Sequence, residues 1–115
     1  MGAPVIWFEV NSANSAKLRD FYSKLFDWKT EHIGQPDYSI INTGVEGGIG
    51  GGIGQAQGPN QVTFYIAVDD LQATLDAIEK AGGKTVMPVT VIPDMVTLAQ
   101  FADPDGNIIG LVKAS

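Results

Sequence analysis

The chain repeats itself: a short strand, an amphipathic helix and a run of extended segments occur once from Pro4 to about Gly54 and again from about Gln61 to Lys113. In the first half the strand is Val5-Ile-Trp-Phe-Glu-Val10, the helix Ala16 to Phe26, and Asp27-Trp28-Lys29-Thr30 follows. In the second half the strand is Val62-Thr-Phe-Tyr-Ile-Ala-Val68, the helix Leu71 to Ala81, and Gly82-Gly83-Lys84-Thr85 follows. Units of this size cannot bury their apolar faces alone, so each needs the other or a copy from a second chain. At 115 residues the chain has room for one core. A single domain is therefore expected, with module 1 at about 4–54, a linker at about 55–60 and module 2 at about 61–113.

Local signals fill in each module. Asn11 to Ser15 supply N-cap candidates, and Leu18, Phe21, Tyr22, Leu25 and Phe26 then recur at three and four, which predicts a helix with one apolar face. Lys29–Ile33 and Tyr38–Asn42 read as strands joined by a turn at Gly34-Gln-Pro-Asp37. Gly47 to Gly54 places Ile49 and Ile53 among glycines and reads as a glycine-rich strand next to a flexible linker. A phosphate-binding loop is disfavoured there, because no Gly-Lys-Ser/Thr ending and no helix pattern follow. In module 2, Leu71, Leu75 and Ile78 mark a helix ending at Gly82-Gly83. Pro88 predicts an edge strand or bulge within Thr85–Val91. Met95–Ala102 and Ile108–Lys113 form a hairpin around Asp103-Pro-Asp-Gly-Asn107.

The net charge of −6, with no Lys/Arg cluster, disfavours nucleic acid and anionic membranes as partners. The absence of cysteine excludes disulfides, thiolate catalysis and Cys-ligated zinc. With no signal-like or membrane-spanning stretch, a soluble cytoplasmic protein is expected.

Strand alternation puts Val5, Trp7 and Glu9 on one face and Ile6, Phe8 and Val10 on the other, the latter toward the helix. The same parity puts Thr63, Tyr65 and Ala67 on the matching face of module 2. Trp7, Glu9, Thr63 and Tyr65 are thus the candidate lining of a small-molecule site, with Met95 and Phe101 as further contact area. Glu9 reads either as a hydrated rim carboxylate or as a carboxylate in an apolar wall suited to acid/base work. His32, the only histidine, reads as a solvated strand residue.

Glu9-Val10, the helix ending Asp20-Phe21-Tyr22-Ser23-Lys24-Leu25-Phe26-Asp27-Trp28, the mid-chain glycines, Phe64-Tyr-Ile-Ala-Val68-Asp69-Asp70, Ala81-Gly82-Gly83-Lys84 and Phe101-Ala-Asp103-Pro-Asp-Gly106-Asn107 together resemble the vicinal oxygen chelate superfamily. That group holds glyoxalase I, extradiol dioxygenases and bleomycin resistance proteins. The resemblance implies an α+β fold of two βαβββ modules forming a cupped mixed β-sheet with helices outside, commonly as a homodimer. It also implies a divalent metal held by side chains at slots that here carry Val5, Thr63, Gly50 or Gly51, and Gly110. None offers a competent ligand, so no metal and no cofactor are expected. The reading that follows is a protein that binds a small organic molecule in the manner of bleomycin resistance proteins. Its alternative is a glyoxalase I-like lyase or isomerase that uses displaced ligands or Glu9 as base.

Overall fold

The computed structural model describes residues 2–33, 38–56 and 58–114. The turn expected at Gly34 to Asp37 lies outside them. The elements run β1 (Val5–Ser12), α1 (Ser15–Phe26), β2 (Lys29–Ile33), β3 (Tyr38–Asn42), β4 (Gly50–Gln55), β5 (Gln61–Val68), α2 (Leu71–Lys80), β6 (Lys84–Ile92), β7 (Val96–Ala102) and β8 (Ile108–Lys113). The order βαβββ occurs twice, as the repeat predicts. By contacts the chain forms two compact units, residues 7–63 and residues 1–6 with 64–115. The first residues group with the second half because the Ala67 amide donates to the Pro4 carbonyl at 2.9 Å.

In the unit of residues 7–63 the strand order is β2-β3-β4-β1. β1 and β4 are parallel, and the other two pairings are antiparallel. α1 packs against β4 and β2. The helix-facing side of the sheet is set by register: Phe8 pairs with Gly51, Val10 with Ile53 and Ile41 with Gly51. Ile41 and Ile53 are both 1% exposed. Phe8 meets Trp28 at 5.6 Å between ring centroids, and Trp28 stacks on Tyr22 of α1 at 5.4 Å. The expectation that Phe8 faces the helix therefore holds, whereas Ile6 is exposed.

Two local expectations for α1 are corrected. Asn11 and Ser12 are not caps, because β1 continues through Ser12, and Asn14 at the N-cap makes no side-chain bond to the helix. Gln55, arriving on β4, takes that role: its Oε1 accepts from the Ser15 amide and hydroxyl while its Nε2 donates to the Ala13 carbonyl. The single apolar face is also too wide. Leu18 and Tyr22 are half-buried, but Phe21, Leu25 and Phe26, in the last two turns of the helix, are exposed.

In the other unit the order is β5-β8-β7-β6, again with one parallel pair, β5 and β8. α2 starts at Asp70, whose carboxylate accepts from the Ala73 amide. It ends at Gly82, with φ 103°, where the Gly83 amide returns to the Ile78 carbonyl. Leu71 and Leu75 bury with Ala99 and Leu111, and Ile66, Val68, Ile78 and Phe101 pack around them. At about 25 cal/mol per Å² of apolar area, a fully buried leucine contributes about 1.5–3 kcal/mol. β6 is an outer strand with register shifts around Pro88, as expected of a proline that cannot donate to a ladder. The Asp103 to Asn107 turn also follows its sequence, with Gly106 at φ 89° and its amide on the Asp103 carbonyl. Among the described residues no helix is long and apolar enough to cross a membrane.

Candidate functional site

The face of the 7–63 sheet turned away from α1 holds a continuous polar cluster over glycine. Trp7, Glu9 and Asn11 project from β1 and pair in register with Gly50, Gly52 and Gly54 of β4. Tyr38, opposite Gly54 on β3, lies over the same glycines. A Cβ built on Gly52 would sit 1.8 Å from the Tyr38 hydroxyl oxygen, and one on Gly54 2.8 Å from its Cδ1. The glycine run is thus no phosphate loop, and from Gly50 onward it is extended. It is a strand whose missing side chains leave the room that Tyr38 fills.

Hydrogen bonds then tie the cluster together. The Trp7 indole Nε1 donates to the Tyr38 hydroxyl at 3.3 Å, and that hydroxyl donates to Glu9 Oε2 at 3.1 Å. Asn11 Nδ2 donates to the other oxygen, Oε1, at 3.0 Å. Each carboxylate oxygen of Glu9 is thereby oriented by a separate side chain. All four residues are half-buried, so the group is held by packing and still reaches the surface. A carboxylate held by a phenol hydroxyl and an amide can orient a ligand donor or accept a proton.

Alternation on β5 places Thr63, Tyr65 and Ala67 among the buried residues, with Val62 and Phe64 exposed. Tyr65 pairs with Gly110 on β8, and its hydroxyl accepts from Gln100 Nε2 at 3.0 Å. Two residues expected at a ligand wall lie elsewhere. Phe101 packs on the α2 side, because Gln100 pairs with Gly110 and parity sends its neighbour to the opposite face. Met95 is 60% exposed in the β6–β7 turn and not on a strand, since β7 begins at Val96. It borders a shallow groove with Val91, Ile92 and Lys113.

Sequence reasoning left out Asn11 and Gln100 as site residues, and had Tyr38 only among the aromatic residues that could supply stacking area. Asn11 was legible by parity, as the next residue on the face of Trp7 and Glu9. Tyr38 and Gln100 depend on cross-strand register, which no local pattern carries.

The slots implied for a metal do not suit one. Val5 is apolar and 43% exposed, Thr63 offers one buried hydroxyl, and Gly110 has no side chain. A Cβ on Gly50 would touch Trp7, and Gly51 faces Phe8 on the helix side. Among the described residues no three His, Cys, Asp or Glu side chains come together as a metal group. Divalent cations require several oxygen, nitrogen or sulfur donors at once, and this set does not fit.

The profile of the Glyoxalase/Bleomycin resistance protein/Dioxygenase superfamily matches residues 5–111. The anthracycline biosynthesis protein DnrV of Streptomyces peucetius is 31% identical over 91% of this chain and 44% of its own length. The putative glyoxylase CFP32 of Mycobacterium tuberculosis is 28% identical over 95% of this chain and 45% of its own. The chain thus spans less than half the length of these relatives. The crystal structure of hypothetical protein BH1468 from Bacillus halodurans superimposes with a TM-score of 0.76 at 8% identity, covering 100% of this chain and 96% of that one. At that identity the likeness concerns the fold alone, which is the α+β fold expected from the sequence.

Proposed function

Because the chain belongs to the glyoxalase/bleomycin resistance protein/dioxygenase superfamily, we propose that it binds a small organic molecule directly on its side chains, without the superfamily's divalent metal, as a cytoplasmic homodimer. The observation that carries this reading is the Trp7–Tyr38–Glu9–Asn11 network. A few polar groups held in place beside aromatic surface are the usual makings of a small-molecule site. The donor-poor metal slots point the same way, and the anthracycline biosynthesis relatives are consistent with an organic ligand. Exposed apolar side chains such as Phe21, Leu25 and Val62 offer surface for a second copy.

A second reading is an enzyme in which Glu9 acts as base, favoured by the Tyr38 hydroxyl and Asn11 amide that aim its two oxygens. Relatives described as putative glyoxylases support it. A thermal-shift screen of planar and cationic organic compounds tests the binding reading. A ligand present at a hundredfold its Kd stabilises the fold by about 2.7 kcal/mol, several degrees in a domain of this size. Calorimetry with Trp7→Ala and Glu9→Gln must then show weaker binding. One divalent ion per chain in protein purified without chelator, or ligand affinity indifferent to both substitutions, would refute the proposal.

A further inference from the structure

The face of β8 opposite α2 is closed by packing. Tyr65 and Gly110 are cross-strand partners on β5 and β8, and Gln100 is the partner of Gly110 on β7. The phenol ring extends from β5 across the glycine, and its hydroxyl accepts from Gln100 at 3.0 Å. A Cβ on Gly110 would lie 2.2 Å from Cδ2, 2.3 Å from Cε2 and 2.6 Å from Cγ of Tyr65. Those atoms form one edge of the ring and include its root, Cγ, which cannot move aside without a new χ1 rotamer. Tyr65 is 6% exposed, so the ring has little room to take one.

We infer that Tyr65 is a plug: its ring, tied at the far end by Gln100, fills the space from which a side chain on β8 would reach a cation. The departure at Gly110 is then more than a lost ligand. A carboxylate returned to position 110 needs its own Cβ where the ring already lies, so cation binding on this face requires a change at 65 as well as at 110. Tyr65 is here a specificity-determining residue, and it acts by volume. The inference extends the metal-free part of the proposed function and does not depend on whether an organic ligand binds.

The test uses metal ions alone, so its outcome is separate from that of the ligand screen. Gln100→His with Gly110→Glu introduces two donors on adjacent strands while the ring stays. The same pair with Tyr65→Ala offers identical donors with the ring removed. Calorimetric titration with Ni²⁺ should give at least tenfold tighter binding to the protein lacking the ring. Equal affinities, or tighter binding with Tyr65 in place, overturn the inference. Should the triple variant fail to fold, a milder pair decides: Gly110→Ala should lower stability in the wild-type chain and not in Tyr65→Ala. Equal costs in both backgrounds sink the idea.

Discussion

Gly110→Ala should destabilise the chain because of Tyr65, which supplies the three atoms nearest to the added methyl. Ordinary carbon contacts fall at about 3.5–4.0 Å, so a methyl placed 2.2–2.6 Å from three ring atoms forces the ring to move by more than an ångström. Overpacking a core site in this way costs about 1–3 kcal/mol, and loosening the Tyr65–Gln100 bond adds about 1 kcal/mol. Alanine returns about 0.5–1 kcal/mol, since glycine loses more backbone freedom on folding. The net expectation is a loss of about 1–3 kcal/mol by those same terms. In a Tyr65→Ala background the clash is gone and Gly110→Ala should become neutral or mildly stabilising. The coupling between the two positions is therefore about 2–4 kcal/mol, from the upper part of the usual range for residues in contact to just above it. Urea unfolding followed by circular dichroism, run on both single variants and the double, measures it. Tyr65→Phe serves as control: it removes the hydroxyl and keeps the ring, so most of the coupling must survive there. Additivity within about 0.5 kcal/mol would show that the ring does not lie on the glycine and would refute the packing argument.

Other positions make comparably direct predictions. Asp27 ends α1 in the left-handed region at φ 57°, so Asp27→Gly should raise stability by about 1 kcal/mol, read as a higher Tm. Gln55→Ala removes the bonds that cap α1 from β4 and should cost about 1 kcal/mol in chemical denaturation. Asp103 has its pKa lowered, chiefly by the Asn107 side-chain amide and then by the Asn107 backbone amide. A carboxyl with a depressed folded pKa stabilises the fold above its unfolded value and loses that contribution as pH falls through the folded one. Asp103→Asn should accordingly lower Tm at neutral pH and flatten its decline below the ordinary aspartate range, and an unchanged acid limb would count against the turn geometry.

What the sequence disclosed and what it hid follow one physical division. Strand parity, the Asp70 cap, the Gly82-Gly83 stop and the Asp103 to Asn107 turn are decided by neighbours a few residues apart, and each formed where the chain placed it. The site depends on register between strands. Phe101 looked like ligand wall because it is aromatic, but pairing of Gln100 with Gly110 sends it to the α2 core. The glycines of β4 show no periodicity of their own, and their function is written in Tyr38 on the neighbouring strand. Gln55 could not be recognised as a cap, because the helix it serves lies 40 residues earlier in the chain.

Register also shows the duplication in a form the residues conceal. In residues 7–63 an aromatic side chain from the first strand of the repeat, Trp7, is paired with Gly50 of the fourth and bonded to Tyr38 of the third. In the second unit Tyr65 is paired with Gly110 of the fourth strand and bonded to Gln100 of the third. Neither the aromatic residues nor their polar partners are identical, and only the glycine is shared. On Gly110 a Cβ would lift the Tyr65 ring off the sheet, whereas on Gly50 it would meet the Trp7 ring at 3.4 Å, an ordinary contact, so only the second bridge requires its glycine. The two bridges differ in what surrounds them. Around Trp7 the face carries Glu9 and Asn11 at half-exposed positions, which is why the proposed ligand is placed there. The matching position to Glu9 in the second unit is Ala67, so there the same bridge serves as packing. One repeat thus keeps a chemical group beside its aromatic bridge and the other does not, which is why Glu9 is the residue on which the ligand and enzyme readings both turn.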